Sequence, residues 1–397
     1  MTDKKASLYI HIPYCISKCR YCDFFSRTCE CSDGRTLIPD EYLTALVNEI
    51  KFRFNNYACD CIDTLYVGGG TPSLLSGSQI NYLFKSIKLV KAFSKNAEIT
   101  FEVNPDDVKE ELLENLAASG VNRLSCGIQT MNQKALEYAG RRASADINRK
   151  ALSLFRKNWQ GKLSLDLICG LPYETKESFL QSLQAVIDAH PDHISMYSLT
   201  IEEETPFGKA LEDGSLEYDF EKADNLWIVA RDYLEEKGYP QYEVSNFAIN
   251  ENRCRHNLIY WNHKDYIGAG SGATGSLYNV DGSGKRWTNT KNLNEYMDFW
   301  NNLSSFSDTL IKNNKIPQIE ENITLETSEF EFFMMTLRKT DGFAEEDFMN
   351  AFNKKLPQKF NEVFSQWQKK GLAERDSRYY LNKKGLLFLN AFLEELI

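Results

Sequence analysis

The chain has 397 residues, 42% of them hydrophobic, 13% aromatic and 26% charged, a globular composition that excludes disordered, fibrous and membrane-embedded classes. Its 46 Lys plus Arg against 56 Asp plus Glu leave a net charge of −10, which argues against sequence-independent attraction to nucleic acid or anionic lipid. Ten cysteines are too sparse for a disulfide scaffold. The first residues carry no signal-peptide core and no apolar run is long enough to span a membrane, so the expected compartment is the reducing cytoplasm.

Short strand-like runs at 8–12, 64–67, 99–103, 124–128, 163–168 and 194–199 alternate with stretches of helical apolar spacing at 40–55, 78–93, 107–118, 144–157 and 175–189. Six such units in succession predict parallel strands joined by right-handed crossovers. In three of the strands one face is polar: Thr100, Glu102 and Asn104 oppose Ile99, Phe101 and Val103; Ser125, Gly127 and Gln129 oppose Leu124, Cys126 and Ile128; Ser164 and Asp166 oppose Leu163, Leu165 and Leu167. A closed eight-stranded barrel fills its interior with branched apolar side chains, and a doubly wound sheet is apolar on both faces. The expected fold is therefore α/β, an incomplete (β/α)6 TIM-like barrel whose polar lumen holds a ligand; an antiparallel sheet with one wet face is the alternative.

Three domains are expected: a partial barrel over 1–215, an aromatic and Gly-rich extension over 216–311 with helices at 220–237 and 293–302, and, after a polar linker at 312–321 containing Pro317, a smaller C-terminal module over 322–397. Its helical runs followed by a short hairpin at 371–381 predict a winged-helix-like module. With 13 acidic and 11 basic residues from Glu321 onward, it has no electrostatic claim on DNA.

Cys15, Cys19 and Cys22 follow the first strand within eight positions. Three thiolates on one loop can hold three irons of a 4Fe-4S cluster and leave the fourth open, where the amino and carboxylate groups of S-adenosylmethionine can chelate. Zinc is the alternative. It needs a fourth ligand from Cys29 and Cys31 or from Cys59 and Cys61, and both pairs have a C-x-C spacing unlike the usual zinc pairs.

The C-x3-C-x2-C loop with Tyr21 before its last cysteine resembles the radical S-adenosylmethionine (radical SAM) superfamily. Residues 7–24, Gly68-Gly-Gly-Thr-Pro-Ser73, Phe101-Glu-Val-Asn-Pro105, Gly127-Ile-Gln129 and His256-Asn-Leu-Ile-Tyr-Trp261 together resemble the oxygen-independent coproporphyrinogen III oxidase-like family. That resemblance implies metal ligation by Cys15, Cys19 and Cys22. It implies S-adenosylmethionine contacts from Tyr9, Tyr21, Gly69, Gly70, Thr71, Glu102, Gln129, Arg141 and Asp166. The oxidases carry a fourth cysteine where Phe24 stands, and a long arm before the triplet, so the resemblance is nearest to the heme-chaperone branch. It implies a protein that binds heme and passes it to acceptor proteins, among them those of a membrane respiratory chain; coproporphyrinogen III oxidase activity is the alternative.

A histidine amid aromatic side chains suits an axial ligand, though a lone histidine is more often a hydrogen-bonded structural residue; the resemblance to the heme-chaperone branch, which carries this motif, implies that His256, with Cys254, contacts heme. The family's Cys and His are replaced by Ser271 and Thr274. Gly268-Ala-Gly-Ser-Gly-Ala273 superficially looks like a dinucleotide loop, but no helix is expected to open behind it, and close backbone packing is the expectation.

Overall fold

A computed structural model describes residues 4–29, 38–303 and 316–397. Six parallel strands, β1 (Lys5–Ile12), β2 (Cys61–Gly69), β3 (Phe93–Val103), β4 (Arg123–Gln129), β5 (Lys162–Cys169) and β6 (His193–Ser198), lie side by side in sequence order. Helices Asp40–Asn56, Gly77–Val90, Glu110–Ser119, Ala145–Asn158 and Lys176–Ile187 connect them, which is the expected α/β arrangement. Ser76 and Thr175 each form a capping box, and Ser144 caps its helix through the Ile147 amide, so three of these helices start where a hydroxyl takes up a free N–H.

Two three-residue strands escape the sequence pattern because they are too short to show a period. β7 (Asn246–Ala248) pairs antiparallel with β6, and β8 (Ile267–Ala269) pairs parallel with β1, giving the order β8-β1-β2-β3-β4-β5-β6-β7. Close packing around the expected dinucleotide-like loop proves literal: a Cβ on Gly268 would stand 2.0 Å from the Thr274 carbonyl oxygen.

The outward faces of the six strands, including Leu8, Ile10, Leu65, Val67, Phe101, Leu124, Cys126, Leu165 and Ile194, join the helices in one apolar cluster running from Ala6 to Trp300. Burying that surface is the main driving force for the barrel. The opposite faces carry the polar residues of the sequence pattern. Helix Arg255–Trp261 packs against β2 at the end where the strands begin: the His256 ring bonds Thr64, and the His256 amide donates to Glu98 Oε1. The motif read as a heme contact thus forms the floor of the barrel.

The expected polar linker is shorter than the sequence implies. Residues 312–315 lie outside the described part, and Gln318–Ile323 form a strand paired antiparallel with Gly284–Asn289, which in turn pairs with Thr274–Tyr278. Glu320 and Glu321 are adjacent and the strand is exposed over most of its length, so no apolar alternation marks its pairing. The C-terminal module has helices at Leu325–Thr336, Glu345–Phe352 and Gln358–Lys369 and a three-stranded sheet of Phe343–Ala344, Arg378–Leu381 and Ala373–Arg375. This is the order of a winged helix, around a separate core in which Phe333 stacks on Phe360 at 4.4 Å. Among the described residues no helix is long and apolar enough to cross a membrane.

Candidate functional site

At the ends of the strands opposite that floor lies a cavity of about 410 Å³. The chain leaves β1 through Tyr14–Cys15, which pairs with Arg27–Thr28, and the Cys29 amide donates to the Cys15 carbonyl at 2.9 Å. These bonds fold residues 15–29 into a loop over the cavity, and Cys15 and Cys22 line it. Cys19 faces Arg141, whose Nη1 donates to its Sγ at 3.6 Å, and Thr71 Oγ1 donates to Cys15 Sγ at 3.4 Å. Burial, with the Cys19 and Cys15 thiols nearby, pushes the Cys22 thiol up to about 11, so three thiolates here need compensating positive charge.

The glycine run after β2 is a cradle. A Cβ on Gly70 would meet Tyr14 O at 2.7 Å and Cys15 Sγ at 3.0 Å, and one on Gly68 would meet the Glu102 carboxylate at 2.9 Å. The absence of side chains therefore seats the cysteine loop and Glu102 against β2. Glu102 accepts from Tyr66 OH at 2.7 Å and from the Gly69 amide at 3.2 Å; burial, with Asp166 adding, pushes its carboxyl up to about 7. Asp166 accepts from Ser125 at 2.7 Å and Ser164 at 3.2 Å, and burial raises its pKa despite those bonds. Arg141 donates through Nη2 to Asn104 Oδ1 at 2.5 Å and to Gly127 O at 2.8 Å. Its buried Nε has no partner. Gln129 ends β4 with φ of +64°, a left-handed conformation unusual for a residue with a side chain.

Tyr21, Gly69, Gly70, Thr71, Glu102, Gln129, Arg141 and Asp166 all line the cavity. Tyr9 stands apart from them: its ring packs 6.2 Å from Tyr66, and its hydroxyl bonds His11 Nδ1 at 2.9 Å. Because His11 Nε2 lies 2.9 Å from the Phe25 carbonyl, that nitrogen carries the proton and Nδ1 accepts from Tyr9. Tyr9 and His11 thus brace the cysteine loop from below. Sequence reasoning put Asn104 and Ser125 on the lumen face without giving them a role, and missed Arg142, Tyr197 and Thr200 as lining residues. Asn104 and Ser125 lie on the polar faces already recognised, whereas Tyr197 follows the same alternation in β6, where it was not traced.

Neither expected heme residue is open. His256 is 1% exposed; its Nδ1 is 2.8 Å from Thr64 Oγ1, its Nε2 2.8 Å from Tyr260 OH, and burial pushes its pKa down to about 3. Cys254 is buried, with its thiol toward Glu98 Oε1 at 3.6 Å. Iron ligation by His256 would require the bond at the ligating nitrogen to break and the buried ring to be uncovered.

Residues 9–186 match the family model described as Radical SAM superfamily. Over 98% of this chain and 97% of the relative, the sequence is 33% identical to "Heme chaperone HemW" of Haemophilus influenzae. The chain belongs to the radical SAM superfamily, in the HemW family. It is also 32% identical to HemW of Bacillus subtilis over 98% of this chain and all of the relative. The fold is that of coproporphyrinogen III oxidase (HemN) from Escherichia coli: TM-score 0.80, 22% identity, 99% of this chain and 90% of the other covered. As radical SAM residues, the cavity groups fit their cofactors. Three thiols on one loop would leave a 4Fe-4S cluster with one open iron, Arg141 Nε is buried without a hydrogen-bond partner, and amides and carboxylates along the strands suit ribose hydroxyls. Cys61 begins β2, at the floor end of the barrel, away from the triplet. Among the described residues no group of three or more His, Cys, Asp or Glu is placed to hold one metal ion.

Proposed function

We propose that this protein is a heme chaperone: it carries a 4Fe-4S cluster on Cys15, Cys19 and Cys22, binds S-adenosylmethionine in the barrel cavity, binds heme, and transfers heme to acceptor proteins in the cytoplasm. The observation that carries this reading is the 32–33% identity to HemW relatives over 98% of this chain, and Phe24, where the oxidases have a fourth cysteine, is in keeping with it. When bound, the cluster and S-adenosylmethionine supply one-electron chemistry. The chain's own residues then have separable roles. Gly69 and Gly70 admit the cofactor to the backbone, Arg141 neutralises thiolate or carboxylate charge, and Glu102 and Asp166 accept hydrogen bonds from hydroxyls. The division into a partial barrel over 1–215, an extension over 216–311 and a C-terminal module over 322–397 belongs to the same proposal. The two separate apolar cores support the last boundary.

The test is anaerobic reconstitution with iron and sulfide, followed on one sample by heme titration and a coproporphyrinogen III turnover assay. The expected result is about four irons per chain, heme binding with a Soret band, heme transfer to an added apo-acceptor, and no decarboxylation. Turnover of coproporphyrinogen III would replace the chaperone reading with the oxidase one; zinc in place of iron would sink both.

A further inference from the structure

The motif helix Arg255–Trp261 has a second side. His256 and Tyr260 face the barrel floor, while Leu258 lines a separate cavity of about 340 Å³ between this helix and the C-terminal module. Four cationic side chains from four parts of the chain surround it: Arg253 before the helix, Lys264 after it, Lys339 in the turn after helix Leu325–Thr336, and Arg378 on the wing strand. Two carboxylates, Asp341 and Asp347, oppose them.

The pairing is incomplete. Arg253 Nη1 holds Asp341 Oδ2 at 3.2 Å, and Arg378 lies 3.7 Å from Asp347 while donating to the carbonyls of Asp341 and Gly342. Lys264 is exposed and forms no side-chain hydrogen bond or ion pair among the described residues. Lys339 is only 5% exposed; its ammonium has one hydrogen bond, to Asn262 Oδ1 at 2.6 Å, and an ion pair with Asp341 Oδ1 at 3.9 Å, too long for a second hydrogen bond. An ammonium has three donors, and burying one with two of them unused is costly. Counting Glu251, which pairs with Arg253 Nε at 3.0 Å, four positive charges face three negative ones, and the surplus, at Lys264, lies beside the cavity. Burial lowers the Lys339 pKa to about 8, which an anion beside it would reverse.

We propose that this cavity is a binding site for a small dianionic group, a phosphate or a pair of carboxylates, seated against Lys339, Lys264, Arg253 and Arg378. Such a ligand bridges the motif helix and the C-terminal module. It stabilises the folded chain by mass action, because the four cations are brought together only in the fold. The two sources of that chemistry are a free phosphate and a ligand bearing two carboxylates; the second rests on the chaperone reading, since heme carries two propionates.

The experiment is thermal unfolding of the full chain in rising inorganic phosphate, with sodium chloride at matched ionic strength as the control. The expected result is a Tm that rises by a few degrees with phosphate and not with chloride. Lys339→Met abolishes the rise, and Lys264→Ala, at an exposed position that cannot harm the fold, weakens phosphate binding several-fold. No phosphate-specific rise in the native protein, or an equal rise in native protein and both variants, overturns the site. Competition identifies the source: heme, but not its dimethyl ester, displaces phosphate if propionates are the ligand, and neither does if a free phosphate is. The Soret titration tests the chaperone reading separately, so either can fail alone.

Discussion

Removing Glu98 should loosen the barrel floor by an amount the structure sets. Its Oε2 accepts from Arg123 Nε at 3.1 Å; its Oε1 accepts from the His256 amide at 3.0 Å and from the Cys254 thiol at 3.6 Å. Both members of the ion pair are nearly enclosed, Arg123 at 1% and Glu98 at 5% exposure. Glu98→Ala leaves the guanidinium charged in a dry site and strips the motif helix of its first-turn acceptor. Breaking a buried pair from one side costs roughly 3–5 kcal/mol, which for a chain of this length unfolding as one unit is about 4–6 °C in Tm. Circular-dichroism melts check the size, and hydrogen exchange at the His256 amide checks the place. The double variant Glu98→Met with Arg123→Met should recover at least half of the loss, since no charge is then stranded. A drop under about 1 °C for Glu98→Ala, or a double variant as unstable as the two single losses added, would refute the view that these charges act as a pair.

Gly70→Ala forces a methyl against Tyr14 O and Cys15 Sγ; it should lower the iron retained after anaerobic reconstitution severalfold, read by iron and sulfide analysis. Glu174 is buried under the Thr130 hydroxyl at 2.6 Å, and burial pushes its carboxyl up to about 8. The folded chain then holds this proton more tightly than the unfolded chain, so stability falls as pH rises from about 4.5 to 8. Glu174→Gln should flatten that slope and stabilise by about 2 kcal/mol or more above pH 8, measured by urea unfolding across pH. His256→Ala deletes a ring held at both nitrogens and should cost about 2–4 kcal/mol, seen in the same melts. Arg141→Met should weaken S-adenosylmethionine binding about tenfold or more, measured by titration of the reconstituted protein.

Most of the site was readable because the chemistry follows a period. Glu102, Asn104, Ser125 and Asp166 sit at alternate positions on strands whose other faces are apolar, so the two-residue repeat places them in the lumen before any coordinates are known. What could not be read is made by chain segments with no period. Pairing of Ile267–Ala269 with β1 depends on Gly268 lying flat on Thr274, and the bonds that close His256 come from Thr64 and Tyr260. A histidine surrounded by aromatics reads the same whether it is open to a ligand or sealed by hydroxyls; only packing separates the two.

The pairing of β1 with β8 also sets the order of assembly. Leu8 finds its outer neighbour in Ile267, and Tyr42 is held at the Ser271 amide, so the strand leading into the cysteine loop waits for residues made more than halfway through synthesis. Contacts this distant along the chain are slow to form, since their loop-closure cost comes before any gain. During translation the thiols that emerge first therefore stay beside an unfinished wall until residues 267–271 arrive.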